Sequence, residues 1–279
     1  MERAHYSIDN SPITVDMKGT PELKRGNNEV LSNATTDITH GLPWYPQGYH
    51  AYDFLSAQEF GTLRSGLNES IAAIVNDLGI SSAGFDLEQY HKVVTTTEDH
   101  HRVAARTRDL FATDFNFSVE ELVPRFEKLV GFGLTDVNPD NGQKMHIIVR
   151  INRPGSNDFN PPHKDMYGPW DRERKMLRFV NLWIPVAGVG PKSTLPVVPG
   201  SHLLPENKIL RTFEGAVVEG NKYRVNAIVE WDGSSALVRP EVKYGQVLMF
   251  SAHLVHGLAK NEQEDTTRVA LEFRLFRKD

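Results

Sequence analysis

From residue 144 onward the chain is built of short β-prone runs: KMHIIVRINR (144–153), MLRFVNLWIPV (176–186), KYRVNAIVEW (222–231), QVLMFSAHLV (246–255) and RVALEFRLF (268–276). Gly, Pro and Asn clusters separate them, and runs rich in Val, Ile and Phe between such breaks read as strands. The N-terminal half has a different period. Ser56 and Glu59 stand at capping-box spacing, and Phe60, Leu63, Leu67, Ile71, Ile74 and Leu78 follow at three- and four-residue intervals up to Gly79. Further helices are predicted around 87–113 and 118–130. Helices first and strands second predict an α+β fold, with helices packed on one face of an antiparallel sheet or barrel. In the last run Val269, Leu271, Phe273 and Leu275 share one face, while Arg268, Glu272 and Arg274 share the other. That alternation predicts an apolar face against helices and a polar face lining the inside of a barrel. Residues 1–40 are polar and predicted to form an irregular arm, leaving 41–279 as a single domain with its barrel mainly over 144–279.

The chain has no cysteine, which excludes disulfides, thiolate metal sites, iron–sulfur clusters and thiol nucleophiles. Any metal site must use His, Asp and Glu. A net charge of −5 gives no basic footprint for nucleic acid. No apolar run approaches the ~18 residues of a membrane span, and MERAHYSIDN has no signal-peptide core. A cytoplasmic protein without a membrane partner is expected.

The stretch PPHKDMYGPW (161–170) places an imidazole and a carboxylate two residues apart behind two prolines. In extended chain, residues i and i+2 face the same side, so His163 and Asp165 can aim at one point while Lys164 aims away. A second imidazole is offered by His253 or His256. Two His and one carboxylate make a facial triad, which leaves three positions of an octahedral ion open and suits non-haem Fe(II) oxygenases. A 2-oxo acid takes two of these positions and O2 the third. The far carboxylate of 2-oxoglutarate calls for a bidentate cation, and Arg268 follows His256 by twelve residues. The adjacent pair His100 and His101 is expected on a solvated helix face.

Taken in order, these pieces resemble the phytanoyl-CoA dioxygenase-like family of Fe(II)/2-oxoglutarate-dependent oxygenases. GYHAYDFLSAQEF (48–60) is similar to the entry strand and first helix, and HKD (163–165) to the H-x-D motif. FVNLWIPV (179–186) is similar to the strand whose tryptophan, here Trp183, flanks the cofactor pocket, and LPVVPGSH (195–202) to the loop that follows a short barrel strand. GQVLMFSAHLVHGLAKN (245–261) with Arg268 is similar to the segment carrying the second histidine and the 2-oxoglutarate arginine. The resemblance spans roughly residues 48–276. It implies a double-stranded β-helix, or jelly roll, with Fe(II) and 2-oxoglutarate as cofactors and O2 as co-substrate. It implies His163, Asp165 and His256 as metal ligands, because His256 directly precedes Gly257. His253 is then structural or a support for the ligands, His202 structural or at the pocket rim, and His146 structural in preference to pointing into the barrel. Some relatives have a hydroxyl residue where Leu258 stands, so Thr194 or Asn181 is expected to assist Arg268. Lys164, Tyr167, Trp170 and Arg274 are candidate substrate contacts, and their polar and aromatic mix suggests a polar small molecule.

The expected reaction is hydroxylation of an unactivated C–H bond, with succinate and CO2 as co-products. Related halogenases lack the carboxylate ligand, which Asp165 supplies here. Desaturation, cyclisation and oxidative deoxygenation use the same ligands. A cupin-type metal-binding jelly roll, as isomerase or sensor, is the rival of another class. It usually carries three His and a Glu and lacks the downstream arginine.

Overall fold

The computed structural model describes residues 2–108, 110–167 and 177–278. The chain opens with a hairpin of β1 (Arg3–Ile8) and β2 (Ser11–Asp16), followed by β3 (Lys24–Arg25) and β4 (Tyr49–Asp53). Helices follow: α1 (Ala57–Asp77), α2 (Tyr90–Val93), α3 (Thr97–Arg106) and α4 (Val119–Val130). The remainder is β: β5 (Leu134–Thr135), β6 (Ile148–Asn152), β7 (Phe179–Ala187), β8 (Ile209–Arg211), β9 (Ala216–Val218), β10 (Asn221–Tyr223), β11 (Ile228–Trp231), β12 (Ala236–Leu237), β13 (Gln246–Ser251) and β14 (Arg268–Arg277).

The helices begin and end as their sequences dictate. Ser56 caps α1 in a full capping box with Glu59, and Gly79, at a φ of 80°, lies just beyond its end. Leu63, Leu67, Ile71 and Ile74 are buried along one stripe. They pack on the main sheet, whose order is β4-β13-β7-β14-β5 with β6 also paired to β14. Every pairing in this sheet is antiparallel. Val269, Leu271, Phe273 and Leu275 face the helices in one apolar cluster with Phe126 of α4. Their alternates, Arg268, Glu272 and Arg274, take the opposite face, as the pattern predicts.

A second, thinner layer faces that surface. It consists of β11-β8-β3 on one side and β12-β1-β2 on the other. Between them, segments pair through single bridges: Ile228 N donates to the Pro162 carbonyl at 2.7 Å, His163 pairs with His256, His256 with Val197, and Val197 with Val238. The H-x-D segment and the His256 segment are thus neighbours in the middle of this layer.

The irregular arm expected over residues 1–40 is replaced at its start by an ordered hairpin. Ala4, Tyr6, Ile8, Ile13 and Val15 are buried in alternation, and they join Trp231 and Leu258 in a second apolar cluster. Asp9 and Asn10 form the two-residue turn, with φ of 49° and 67°, the left-handed pair that a tight hairpin requires. No helix among the described residues is long and apolar enough to cross a membrane.

Candidate metal centre

His163 and His256 lie on neighbouring extended segments. Each backbone N–H donates to the other's carbonyl, at 2.9 and 3.0 Å. This bridge sets the imidazoles side by side, with ring centroids 4.4 Å apart. Asp165 returns to the same face two residues on. Each of the three offers one ligand atom, and these atoms all lie within 4.8 Å of one another. His163 Nδ1 faces the Pro161 carbonyl at 2.7 Å, and His256 Nδ1 faces the Leu254 carbonyl at 3.0 Å. A carbonyl only accepts, so both Nδ1 atoms carry the proton and both Nε2 lone pairs are free. These Nε2 atoms stand 4.0 and 3.9 Å from the Asp165 carboxylate, too far for a hydrogen bond but close enough to share an ion. Burial, followed by the neighbouring His256, pushes His163 down to about 4, which keeps it in the neutral, metal-binding form.

The carboxylate is held from both sides. Arg274 Nη2 donates to Asp165 Oδ1 at 2.6 Å, and Asn181 Nδ2 donates to Oδ2 at 2.7 Å. Burial opposes ionisation of Asp165, but Arg274, His256, His163 and Asn181 together hold it well below the usual carboxylate range. Gly257 permits the close approach. A Cβ there would lie 2.5 Å from the Pro161 carbonyl oxygen and 3.2 Å from His163 Nδ1, and φ is 126°.

Beside the triad lies a cavity of about 820 Å³ between the main sheet, α3 and the β9–β10 hairpin, with His163, His256, Trp183, Leu195, Arg268 and Glu272 in its wall. Arg268 is fully buried. Its Nε donates to the Ser193 carbonyl at 3.0 Å, its Nη1 donates to Asn152 Oδ1, and its guanidinium lies 5.4 Å from the Trp183 ring centroid. Among the described residues Arg268 forms no ion pair, and burial, with Arg150 nearby, pushes it down to about 9. Arg150 is different. Its Nε and Nη2 donate to the two oxygens of Glu272 at 2.8 and 3.1 Å. Burial resists ionisation of Glu272, yet Arg150 holds it down to about 2. The Arg150–Glu272 pair went unread in the sequence. Its signal was the alternation of Ile148, Arg150 and Asn152 against the buried Val149 and Ile151.

Several predicted contacts fall elsewhere. Lys164 is buried on the reverse face of its segment, where Nζ donates to Glu206 at 2.7 Å, and Arg211 Nε holds the other oxygen at 3.2 Å. It does not line the cavity, because alternation turns it away from its neighbours and a buried ammonium requires an acid. The Tyr167 hydroxyl accepts from Lys164 N and donates to the Asn226 carbonyl, so it braces the segment instead of lining the cavity. Thr194 donates to the Gly190 carbonyl at 2.9 Å, and Asn181 serves Asp165, so neither hydroxyl nor amide is turned to Arg268. Arg274 engages Asp165 in place of a substrate group. Trp170 lies outside the described residues. His253 is fully buried and outside the triad, and His202 bonds the Tyr45 carbonyl. His146 lies against Phe111, with ring centroids 4.6 Å apart and planes tilted by 42°. His100 is buried, not solvated: it meets the Tyr90 hydroxyl at 3.1 Å and Asp158 at 3.5 Å.

Two layers enclose a His-Asp-His cluster that could hold a metal ion, with a buried arginine in the wall of the same cavity. Residues 47–270 match the model of the phytanoyl-CoA dioxygenase (PhyH) family, and the chain belongs to that family. It is accordingly an oxidoreductase, an Fe(II)- and 2-oxoglutarate-dependent oxygenase. Among solved structures it is similar to AviO1 from Streptomyces viridochromogenes Tue57, at 18% identity and a TM-score of 0.47, covering 88% of this chain and 96% of that one. It is also similar to EctD from S. alaskensis with 2-oxoglutarate and 5-hydroxyectoine, at 16% identity and a TM-score of 0.45, covering 94% and 86%. A third is SnoK, a non-heme alpha ketoglutarate dependent carbocyclase from nogalamycin biosynthesis, at 18% identity and a TM-score of 0.42, covering 92% and 88%. No curated protein matches the chain.

Proposed function

We propose that the chain hydroxylates an unactivated C–H bond of a polar small molecule, with His163, Asp165 and His256 as the Fe(II) ligands and Arg268 as the 2-oxoglutarate anchor. The two facing layers are read as a double-stranded β-helix, and residues 41–279 as one oxygenase domain. The observation that carries the reading is the coincidence, in one cavity wall, of two imidazoles with free Nε2 atoms and a buried guanidinium that forms no ion pair among the described residues. When bound, Fe(II) and 2-oxoglutarate supply the oxidation: substrate, O2 and 2-oxoglutarate become alcohol, succinate and CO2.

The chain's own residues do the positioning. Carbonyls of Pro161 and Leu254 fix the imidazole tautomers, a familiar outer-shell role at metal sites. Arg274 and Asn181 fix Asp165. Arg268, oriented by Ser193 and Asn152, would hold the distal carboxylate, while Arg150 is already neutralised by Glu272 and would not compete for it. Trp183 and Leu195 wall the site against water.

The test is 2-oxoglutarate binding under argon, measured by calorimetry on wild type and Arg268→Ala. Removing one partner of a buried charge pair costs about 3–5 kcal/mol, so affinity should fall by two to three powers of ten with iron binding kept. Loss in Arg274→Ala with none in Arg268→Ala would overturn the assignment.

A further inference from the structure

The outer part of the same cavity has an unbalanced charge inventory. Among the described residues of its wall the two acids are already engaged. Asp158 takes Arg153 Nε and Nη2 at 2.8 and 3.1 Å, with His100 at 3.5 Å, and Glu272 takes Arg150. Arg268 sits at the inner end. That leaves Arg108, Lys222 and Arg224 in the wall, all exposed and, among the described residues, in no ion pair. They come from separate elements: Arg108 from the turn after α3, Lys222 and Arg224 from β10 and the residue after it. A chain with 36 acidic and 31 basic residues has no general excess of cations to scatter there. Like charges gathered in the wall of one cleft repel, and an anion bound among them relieves that repulsion.

We propose that this cavity mouth docks the substrate through an anionic group (a carboxylate, sulfate or phosphate) held by Arg108 and Arg224, with Lys222 adding to the field. The inference rests on the reading of His163, Asp165 and His256 as the metal end of the cavity. Anchoring one end of the substrate at the mouth holds a C–H bond further along it against the inner wall, the usual way remote binding fixes a reacting atom. The mouth anion and the distal carboxylate of 2-oxoglutarate then have separate arginines.

The experiment is calorimetric titration, under argon, of the Fe(II)- and 2-oxoglutarate-loaded protein with benzenesulfonate, a permanent anion that coordinates metals poorly. Benzyl alcohol and benzyltrimethylammonium serve as neutral and cationic counterparts. Benzenesulfonate should bind more tightly than both. Its affinity should fall by about tenfold or more in the Arg108→Gln/Arg224→Gln double variant, and again as salt shortens the screening length to about 3 Å near 1 M. Both side chains are exposed, so the double variant should keep the wild-type melting temperature and 2-oxoglutarate affinity. In Arg268→Gln, titrated with Fe(II) alone because its 2-oxoglutarate affinity is low, benzenesulfonate binding should persist. Three results would overturn the proposal: binding no tighter than that of benzyl alcohol, binding unchanged in the double variant, or binding abolished by Arg268→Gln. Iron and 2-oxoglutarate binding are measured on the wild-type protein beside these titrations. Wild type that binds the sulfonate but neither iron nor 2-oxoglutarate would sink the metal reading and leave the anion site standing.

Discussion

At the scale of single residues, the centre depends on backbone contacts as much as on the ligands. The proline carbonyl that orients His163 is the same group that a Cβ at position 257 would strike. Gly257→Ala should therefore do two things: strain a backbone at φ 126° and displace Pro161 or His163. Gly131→Ala separates the two, because Gly131 has a φ of 79° with nothing within 4 Å of the added Cβ. Both variants should lower the melting temperature. Only Gly257→Ala should weaken Fe(II) binding, by about tenfold or more if the imidazole shift costs upward of ~1.4 kcal/mol. Equal iron affinity in the two variants would mean that the close approach at Gly257 plays no part in the site. The H-x-D pair, His256 and Arg268 were legible in the sequence because each is a chemical group at a fixed spacing. The partners of Asp165 were not. Arg274 and Asn181 lie far from it along the chain, and strand pairing alone brings them to it.

Among the elements, legibility followed the length of the periodic run. Helix α1 has enough turns to display its stripe, and β14 alternates over ten residues, so both were readable. The second layer was not, because its centre is a set of single bridges through His163, His256, Val197 and Val238 with no alternating run around them. The N-terminal hairpin was missed for another reason. Its apolar set of Tyr6, Ile8, Ile13 and Val15 is diluted by exposed polar alternates, and the Asp9–Asn10 turn is a weaker signal than Asn-Gly. Ile8 is 0% exposed and pairs with Leu237 of β12, which ties the hairpin to the rest of the layer. Ile8→Ala should destabilise the protein by ~2–5 kcal/mol in urea unfolding, as for other buried Ile truncations. An irregular arm would tolerate the change, so an unaltered midpoint would contradict the packed hairpin.

Over the whole molecule, buried histidines outside the triad tie stability to pH. His100 and His202 are each pushed down from 6.5 to about 4, burial being the main cause in both. His253 is lowered as well, again by burial. In the unfolded chain these groups take up protons near 6.5, while in the folded protein they stay neutral until about 4. Their contribution is therefore fully present above 6.5 and is lost as pH falls from 6.5 to about 4. Glu272 adds a second, lower stage. Held down to about 2 from 4.5, with burial opposed by Arg150, it loses its contribution as pH falls through that interval. Urea unfolding of the metal-free protein at a series of pH values should show stability falling below 6.5, with a shallower fall in His202→Gln. Stability that stayed flat from 6.5 to 4 would mean that these imidazoles are solvated in the folded protein.

The most direct test compares the two histidines three residues apart. Iron stoichiometry and the visible charge-transfer absorption of the Fe(II)–2-oxoglutarate chelate are measured anaerobically for wild type, His256→Ala and His253→Ala. His256 lies within 4.8 Å of His163 and Asp165, whereas His253 is buried apart from them. Wild type and His253→Ala should bind one iron and develop the band, and His256→Ala should lose both. Retention in His256→Ala with loss in His253→Ala would contradict the ligand set.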